Sequence, residues 1–215
     1  LIALKQRLQL ARKAAGDQNA APVLEDLERL AEGTIDNVRR MTRALRPIAL
    51  DAPGYRAVSD FEWSPDGRLL IDRVSDTGTD RWLSVLDPGA TIPRLVWHDQ
   101  RATRIYPSYA ARWHPDGRRI VVLADLAERD HLYAIDATQP SAAPTALTSG
   151  AWDVDALVDI GGDGTLTFTS TQKNPYERQV YRVSPRPGGP VALTTLAGTH
   201  APVVSPDGRH LAGIW

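Results

Sequence analysis

The chain has 215 residues, of which 25 are Lys or Arg, 26 are Asp or Glu and none is Cys. A formal net charge of −1 gives no indication of binding to nucleic acid or to an anionic membrane, and the lack of Cys excludes a disulfide framework and a metal site built on Cys. No run of about 18 apolar residues occurs, so the sequence predicts no transmembrane helix.

The charge is distributed unevenly along the chain. Residues 1–50 hold nine Lys or Arg and six Asp or Glu, whereas the remainder holds 16 and 20. The opposite net charges of these two parts favour the interpretation that the parts have different origins.

Residues 1–54 are predicted to form a helical hairpin. In the first 17 residues, apolar side chains recur at helical spacing up to Gly16, a residue typical of a helix end. A second periodic run follows Pro22, which the first turn of a helix tolerates, and it ends before Pro47, because proline disfavours the α conformation in the residue before it. The apolar stripe is longer than one hairpin can bury, which predicts a partner hairpin in a four-helix bundle.

This segment also resembles a known family. The stretch LEDLERLAEGTIDNVRRMTRALRPIALDAPGY (24–55) resembles the second helix of the dimerisation and phosphotransfer domain of nitrate-sensor-class bacterial histidine kinases, and LIALKQRLQLAR resembles the end of the first helix. The matching positions are Arg39, Arg40, Leu45, Arg46, Pro47, Leu50, Asp51 and Gly54. The resemblance implies a homodimer formed through residues 1–50. The phospho-accepting His of that class lies further upstream, and all five His here lie outside the helical segment, so we expect no autophosphorylation.

Residues 57–215 contain an internal repeat. The stretch FEWSPDGRLLIDRVSDTGTDRWLSVLD (61–87) returns in 111–137, more loosely in 159–185, and begins again at 202–215. Its Asp-Gly steps, at Asp66, Asp116, Asp163 and Asp207, are separated by 50, 47 and 44 residues. Repeats of this length are typical of solenoids and propellers.

Each repeat predicts a four-stranded antiparallel sheet. Pro-Asp-Gly forms a tight turn, because Pro fixes φ, Asp hydrogen-bonds nearby backbone and Gly accepts a positive φ. Strand-like runs such as RRIVVLAD, HLYAID and TALTSG follow it. We therefore predict a mainly β fold, a partial β-propeller of three to four blades preceded by the helical hairpin. A β-sandwich is the alternative, but it does not explain the repeat. Core packing between blades is the predicted role of four aromatic residues, Trp63, Trp113, Tyr133 and Phe168.

The repeated segment resembles a second family. FEWSPDGRLLIDRVSDTGTDRWLSV, HLYAID…ALTSGAWDV, NPYERQVYRV and GTHAPVVSPDG together resemble the N-terminal propeller of the dipeptidyl peptidase IV branch of prolyl-oligopeptidase-type serine peptidases. The resemblance implies a propeller that caps a C-terminal α/β-hydrolase domain, screens access to its active site and holds the substrate N-terminus with an acidic pair. This chain has neither a Gly-x-Ser-x-Gly nucleophile elbow nor consecutive Glu residues. We therefore assign no catalytic residue and no substrate-amine site to it.

Several polar residues are candidates for binding sites. His114, His131 and His200 lie in different repeats without a metal-ligand spacing, which favours structural roles. The spacing of Asp153, Asp155 and Asp159 does not fit a calcium loop, which favours solvated positions at a strand edge. We expect no metal and no cofactor.

Two further motifs are interpreted as local structure. IGGDG (160–164) lacks a following helix and Lys, so it predicts a hairpin turn and no phosphate loop. Glu177 and Arg178 of NPYERQVY match a motif of the peptidase family, and we predict a structural ion pair or turn contact there in preference to a substrate contact.

The sequence therefore predicts the non-catalytic propeller portion of a dipeptidyl peptidase IV-like serine peptidase, with the hydrolase domain, the remaining blades and a peptide as partners. The alternative is a fragment of a two-component sensor histidine kinase whose dimerisation helices are fused to a propeller sensor. A third hypothesis is a binding module whose helices cover a sheet edge. We expect a fragment of a longer protein, with an abrupt junction near 51–57, and the lack of Cys suits a cytoplasmic or a periplasmic location equally.

Overall fold

The computed structural model describes residues 55–103, 105, 110–140, 142–186 and 188–214. The helical hairpin expected over 1–54 lies outside these residues, as do the junction residues up to 54. Within the described ranges, no helical segment has the length and apolar character needed to cross a lipid bilayer.

The described residues form three four-stranded antiparallel sheets and a hairpin. Sheet 1 has the order β1-β2-β3-β4, sheet 2 the order β5-β6-β7-β8 and sheet 3 the order β9-β10-β11-β12. Each strand pairs with its neighbour in sequence, so every sheet is a simple meander. The predicted mainly antiparallel β architecture is confirmed. The strands are β1 Tyr55–Trp63, β2 Leu69–Ser75, β3 Asp80–Leu86, β4 Arg94–Gln100, β5 Ala111–Trp113, β6 Arg119–Asp125, β7 Asp130–Asp136, β8 Thr145–Ala146, β9 Val154–Ile160, β10 Leu166–Ser170, β11 Gln179–Val183, β12 Val191–Ala192, and, in the terminal hairpin, β13 Ala201–Val204 and β14 Leu211–Ile214.

The same turn joins the first two strands of each unit. In sheet 1 the N–H of Gly67 donates to Ser64 O at 3.1 Å, and the N–H of Ser64 donates to Arg68 O at 2.8 Å. The turn glycines all have a positive φ, between 66° and 81°, at Gly67, Gly117, Gly164 and Gly208. Glycine adopts this conformation without the steric cost that a Cβ brings, which explains why the Asp-Gly step recurs in every repeat.

Two apolar clusters join successive sheets. Strand β6 contributes to both, because Ile120 and Val122 belong to the cluster shared with sheet 1 while Val121 and Leu123 belong to the cluster shared with sheet 3. A strand buried on both faces is apolar at consecutive positions, which accounts for the run RRIVVLAD. The cores of this part of the chain therefore lie between the sheets.

The predicted aromatic packing is confirmed at three positions and wrong at the fourth. Trp113, Tyr133 and Phe168 are buried in the clusters between the sheets. Trp63, the counterpart of Trp113 in sheet 1, is 48% exposed. Trp113 packs towards sheet 1, and the matching face of β1 is directed away from sheet 2, so Trp63 does not enter the interface between these two sheets.

Candidate functional site

His131 is held in a buried network between sheets 2 and 3. Its Nδ1 lies 3.1 Å from Thr148 Oγ1 and its Nε2 lies 3.1 Å from Gly150 O. Because the carbonyl only accepts, Nε2 carries the proton and the Thr148 hydroxyl donates to Nδ1. The same hydroxyl accepts the N–H of Leu132 at 3.0 Å. Both side chains are buried, so this hydroxyl–imidazole contact is a structural bond with no access for a substrate.

His114 and His200 are buried and also have local partners. The N–H of Asp116 donates to Nδ1 of His114 at 3.2 Å, so the imidazole accepts a hydrogen bond from within the turn that His114 begins. A Cβ built on Gly164 would lie 2.6 Å from Nε2 of His114, which places the ring against the corresponding turn of sheet 3. Nε2 of His200 donates to Leu196 O at 3.0 Å. The structural roles predicted for the three weighed His agree with these contacts.

The two remaining His lie nearer the surface. His98 stacks on Trp82 with ring centroids 5.2 Å apart, and its Nε2 lies 2.9 Å from Asp80 Oδ1. The backbone N–H of His210 donates to Ser205 Oγ at 2.9 Å. Over the described part of the chain, no three His, Asp or Glu side chains are placed to hold a metal ion together.

The three aspartates weighed as a calcium site have separate surroundings. Asp153 pairs with Arg129, in the turn between β6 and β7, at 3.0 Å, and Asp155 pairs with Arg178 at 2.8 Å. The expectation of solvated strand-edge positions is therefore incomplete, because two of the three carboxylates are held by ion pairs. Asp159 lies apart from both and lines a cleft described below.

The IGGDG segment forms a hairpin turn, as predicted. The N–H of Gly164 donates to Gly161 O at 2.8 Å, and the N–H of Gly161 donates to Thr165 O at 2.8 Å. The Asp163 carboxylate accepts the N–H and the hydroxyl of Thr165, and these two hydrogen bonds lower the pKa of Asp163. The carboxylate is therefore used inside the turn.

Glu177 and Arg178 stabilise their own loop. Glu177 accepts a hydrogen bond from Gln179 at 2.9 Å and lies 3.5 Å from Lys173 Nζ, and the hydrogen bond from Gln179 is the main cause that lowers its pKa. Arg178 donates to Asp155 and to Pro175 O. These contacts agree with the predicted turn and ion-pair role.

One cleft collects charged side chains that sequence reasoning missed. It has a volume of about 180 Å³ and is lined by the first strands of three sheets. Its charged residues are Glu62 of β1, Arg112 of β5 and Asp159 of β9, and its lining also includes Trp113 and Leu157. The main-chain N–H of Trp113 donates to Glu62 Oε2, and its indole N–H donates to Glu62 O at 3.3 Å, so sheets 1 and 2 are joined at this point.

The three charged residues occupy one position of the repeat. Each lies two residues before the first residue of the recurring turn, at Ser64, His114 and Gly161. The repeat alignment therefore held the signal, since charges of alternating sign stand at equivalent positions in successive sheets. It was missed because each residue is unremarkable when considered within its own strand.

Comparisons with known proteins place these features in a family. A family model described as the dipeptidyl peptidase IV (DPP IV) N-terminal region matches residues 16–215. Among solved structures, the crystal structure of Porphyromonas gingivalis dipeptidyl peptidase 4 matches with a TM-score of 0.65 and 19% sequence identity. That match covers 74% of this chain and 22% of the other, and at this identity it shows the fold alone. No curated protein matches the chain.

The same comparisons bear on the N-terminal segment. The family match starts at residue 16 and continues through the predicted junction near 51–57. The resemblance of residues 1–54 to histidine-kinase helices finds no support in either comparison that matches. The chain spans about a fifth of the length of the P. gingivalis protein.

Proposed function

Because the chain belongs to the family of DPP IV N-terminal regions, we propose that residues 57–215 are blades of a β-propeller and form the non-catalytic portion of a DPP IV-like serine peptidase. The observation that carries this proposal is the family match over residues 16–215, taken together with three successive four-stranded meanders. Sheets that each pack against the next through an apolar face are the arrangement from which propellers are built.

The surroundings of the polar groups favour a scaffold role. The buried His have local hydrogen-bond partners, and the turn aspartates bind their own backbone. A peptidase nucleophile needs an accessible hydroxyl beside an oriented base. In the described residues the one close hydroxyl–imidazole contact, between Thr148 and His131, is buried. Peptide cleavage is therefore assigned to a C-terminal α/β-hydrolase domain of the parent enzyme, with the propeller screening which substrates reach it.

The first test is to read the source coding sequence outward past both ends of the chain. A single frame that continues into a domain with a Gly-x-Ser-x-Gly elbow supports the proposal. A frame with no hydrolase domain, or one that joins residues 1–54 to an ATP-binding kinase domain, contradicts it.

The second test uses the product of that whole frame. We expect it to release N-terminal dipeptides from short chromogenic peptides, and replacement of the elbow Ser by Ala to abolish this activity. As a matched control for screening, a folded protein that carries the same N-terminal residues should remain uncut. Equal cleavage of the peptide and the folded protein would contradict the screening role.

A further inference from the structure

Three of the four recurring turns contain the same four residues. Pro-Asp-Gly-Arg stands at 65–68, 115–118 and 206–209, and the turn at 161–164 keeps only the Asp-Gly step. In an Asp-Gly step the main-chain nitrogen of Gly can attack the carboxyl carbon of Asp, because Gly has no side chain that shields its nitrogen. Since the three tetrapeptides are identical, a difference in this reaction between them has to come from the fold.

The turn at 206–209 joins the least buried strands of the described part of the chain. No residue of β13 or β14 is buried, whereas β2, β6 and β10 are buried along most of their length. Among the described residues β14 pairs only with β13, while β2, β6 and β10 each pair on both sides. Segments with few buried apolar contacts open locally at low free energy, so this turn should open more often than the other three.

Gly208 is also the least crowded of the four turn glycines. A Cβ built on Gly208 would have no described atom within 4 Å. A Cβ on Gly117 would lie 3.6 Å from Arg68 Nη2, and the corresponding distance from Gly164 to His114 Nε2 is 2.6 Å. The Gly208 nitrogen can therefore change its position without displacing a neighbouring side chain.

The Asp207 carboxylate is held less firmly than its counterparts. It accepts the hydroxyl of Ser205 and the N–H of Arg209, the latter at 3.1 Å, and it forms no ion pair with a described residue. Ion pairs hold the carboxylates of the other two Pro-Asp-Gly-Arg turns, Asp66–Arg68 at 2.9 Å and Asp116–Arg119 at 2.6 Å. An adjacent guanidinium favours the ionised carboxylate, which a nitrogen attacks less readily than the neutral carboxyl group.

We propose that Asp207–Gly208 is a site of spontaneous isoaspartate formation. The nitrogen of Gly208 bonds to Cγ of the neutral Asp207 carboxyl group and one water molecule leaves, which gives a five-membered succinimide. Water then breaks either the new N–Cγ bond, which restores Asp207, or the original bond from nitrogen to the main-chain carbonyl carbon, which gives isoaspartate. The composition of the chain is unchanged and water is the only co-reactant. Both residues line a cleft of about 390 Å³, and Asp207 is exposed, so water reaches these bonds.

Isoaspartate would change the hairpin that contains it. Its main chain runs through Cβ and Cγ, which lengthens the turn by one carbon atom. The present turn is closed by the N–H of Gly208, which donates to Ser205 O at 2.8 Å, and by the N–H of Ser205, which donates to His210 O at 2.9 Å. A longer turn cannot keep both hydrogen bonds in this geometry, so the modification should loosen β13 and β14. It also leaves a free main-chain carboxylate, the group that isoaspartyl methyltransferases methylate with S-adenosylmethionine.

The experiment ages the complete 215-residue chain in neutral buffer, with and without denaturing urea. Isoaspartate is quantified by enzymatic transfer of a labelled methyl group from S-adenosylmethionine, and it is located by peptide mapping with electron-transfer fragmentation. In the native chain we expect Asp207 to convert at least about tenfold faster than Asp66 or Asp116, which corresponds to about 1.4 kcal/mol in the free energy of local opening. In urea the three steps should convert at similar rates, because their tetrapeptides are identical.

Matched variants test the restraint on the carboxylate. Ser205 and Ser64 occupy equivalent positions, and each hydroxyl donates to the Asp of its own turn. Ser205→Ala should accelerate the conversion of Asp207. Ser64→Ala should change the conversion of Asp66 less, because Arg68 still binds that carboxylate. Asp207→Glu keeps the charge but would need a six-membered ring, so it should remove the isoaspartyl signal from this peptide.

Three outcomes would overturn the proposal. One is an equal rate at the three Pro-Asp-Gly-Arg steps of the native chain, and another is a preference for Asp207 that persists in urea, since the fold would then not be its cause. The third is a native chain that forms no isoaspartate at Asp207 while the chain in urea does. None of these measurements involves peptide cleavage, so a negative result leaves the peptidase proposal standing, and a coding frame without a hydrolase domain leaves the measured rates unaffected.

Discussion

The buried ion pair between Asp72 and Arg81 offers the sharpest test of how these sheets are held together. Arg81 Nε donates to Asp72 Oδ1 at 3.0 Å, and Nη2 donates to Oδ2 at 2.7 Å, so the pair is bidentate. The side chains are 2% and 5% exposed. Nη1 of Arg81 also donates to Leu123 O of sheet 2 at 3.0 Å, which links the pair to the neighbouring sheet.

Removing one partner should cost much more than removing both. Asp72→Ala removes the carboxylate that the buried guanidinium binds, and loss of one partner of a buried pair costs about 3–5 kcal/mol. The double variant Asp72→Leu with Arg81→Met removes both charges of the pair, and such replacements are often neutral or stabilising. An apolar replacement of Asp72 is reasonable because Val122 occupies the position of sheet 2 that corresponds to Asp72.

The free energies of unfolding are measured by urea denaturation of the wild-type chain, the single variant and the double variant. Arg129→Gln is the control, since Arg129 forms an exposed ion pair with Asp153 at 3.0 Å and its loss should cost at most about 1 kcal/mol. An Asp72→Ala cost no larger than that of the control would refute the reasoning, as would a double variant less stable than Asp72→Ala.

Three smaller predictions concern the turns and the buried network. Gly164→Ala should lower the free energy of unfolding, measured by urea titration, by at least about 1 kcal/mol, because the residue has φ +81° and a Cβ would lie 2.6 Å from Nε2 of His114. Gly162→Ala is the control and should be close to neutral in the same titration, because a Cβ there would meet no atom within 4 Å. Thr148→Val should cost about 1–3 kcal/mol by denaturation, because it removes the hydroxyl that accepts a buried N–H and donates to a buried imidazole; an unchanged midpoint would contradict the assigned network. Burial alone would raise the pKa of Asp116, but the N–H and guanidinium of Arg119 and a further backbone N–H outweigh it and lower the pKa to about 2. The stabilisation by this carboxylate is therefore present above about pH 4 and is lost as the pH falls towards 2, so the stability difference between wild type and Asp116→Asn should shrink over that window in acid titrations of unfolding.

The repeat made the sheets predictable. Pro-Asp-Gly specifies a turn through backbone chemistry that needs no tertiary partner, and the strands on both sides are apolar or β-branched. The turn at 161–164 was predicted correctly although it lacks the Pro, because Asp163 and Gly164 supply its hydrogen bonds and its positive φ. Local chemistry of this kind is readable from one sequence.

Contacts between sheets were not predictable in the same way. Nothing in the sequence shows that Asp72 and Arg81, which lie on neighbouring strands, are enclosed by a third strand from another sheet. Trp63 illustrates the opposite error, because its equivalence to Trp113 was visible while the exposure of its face was not. Burial depends on what packs against a strand, and that information lies outside the strand.

Each repeat contains positions that the turn fixes and positions that vary between units. The turn glycines are constant because their backbone conformation demands it, and each turn aspartate is occupied by its own loop. The position two residues before the turn is not fixed by the turn itself, and it is Glu62, Arg112, Asp159 and Val203 in successive units. In a repeat architecture, the side chain at such a position can change from one unit to the next without disturbing the core. Positions of this kind can therefore form a binding surface. In sheet 1 the charge at this position does serve the fold, because the Glu62 carboxylate accepts the N–H of Trp113 and so joins sheets 1 and 2.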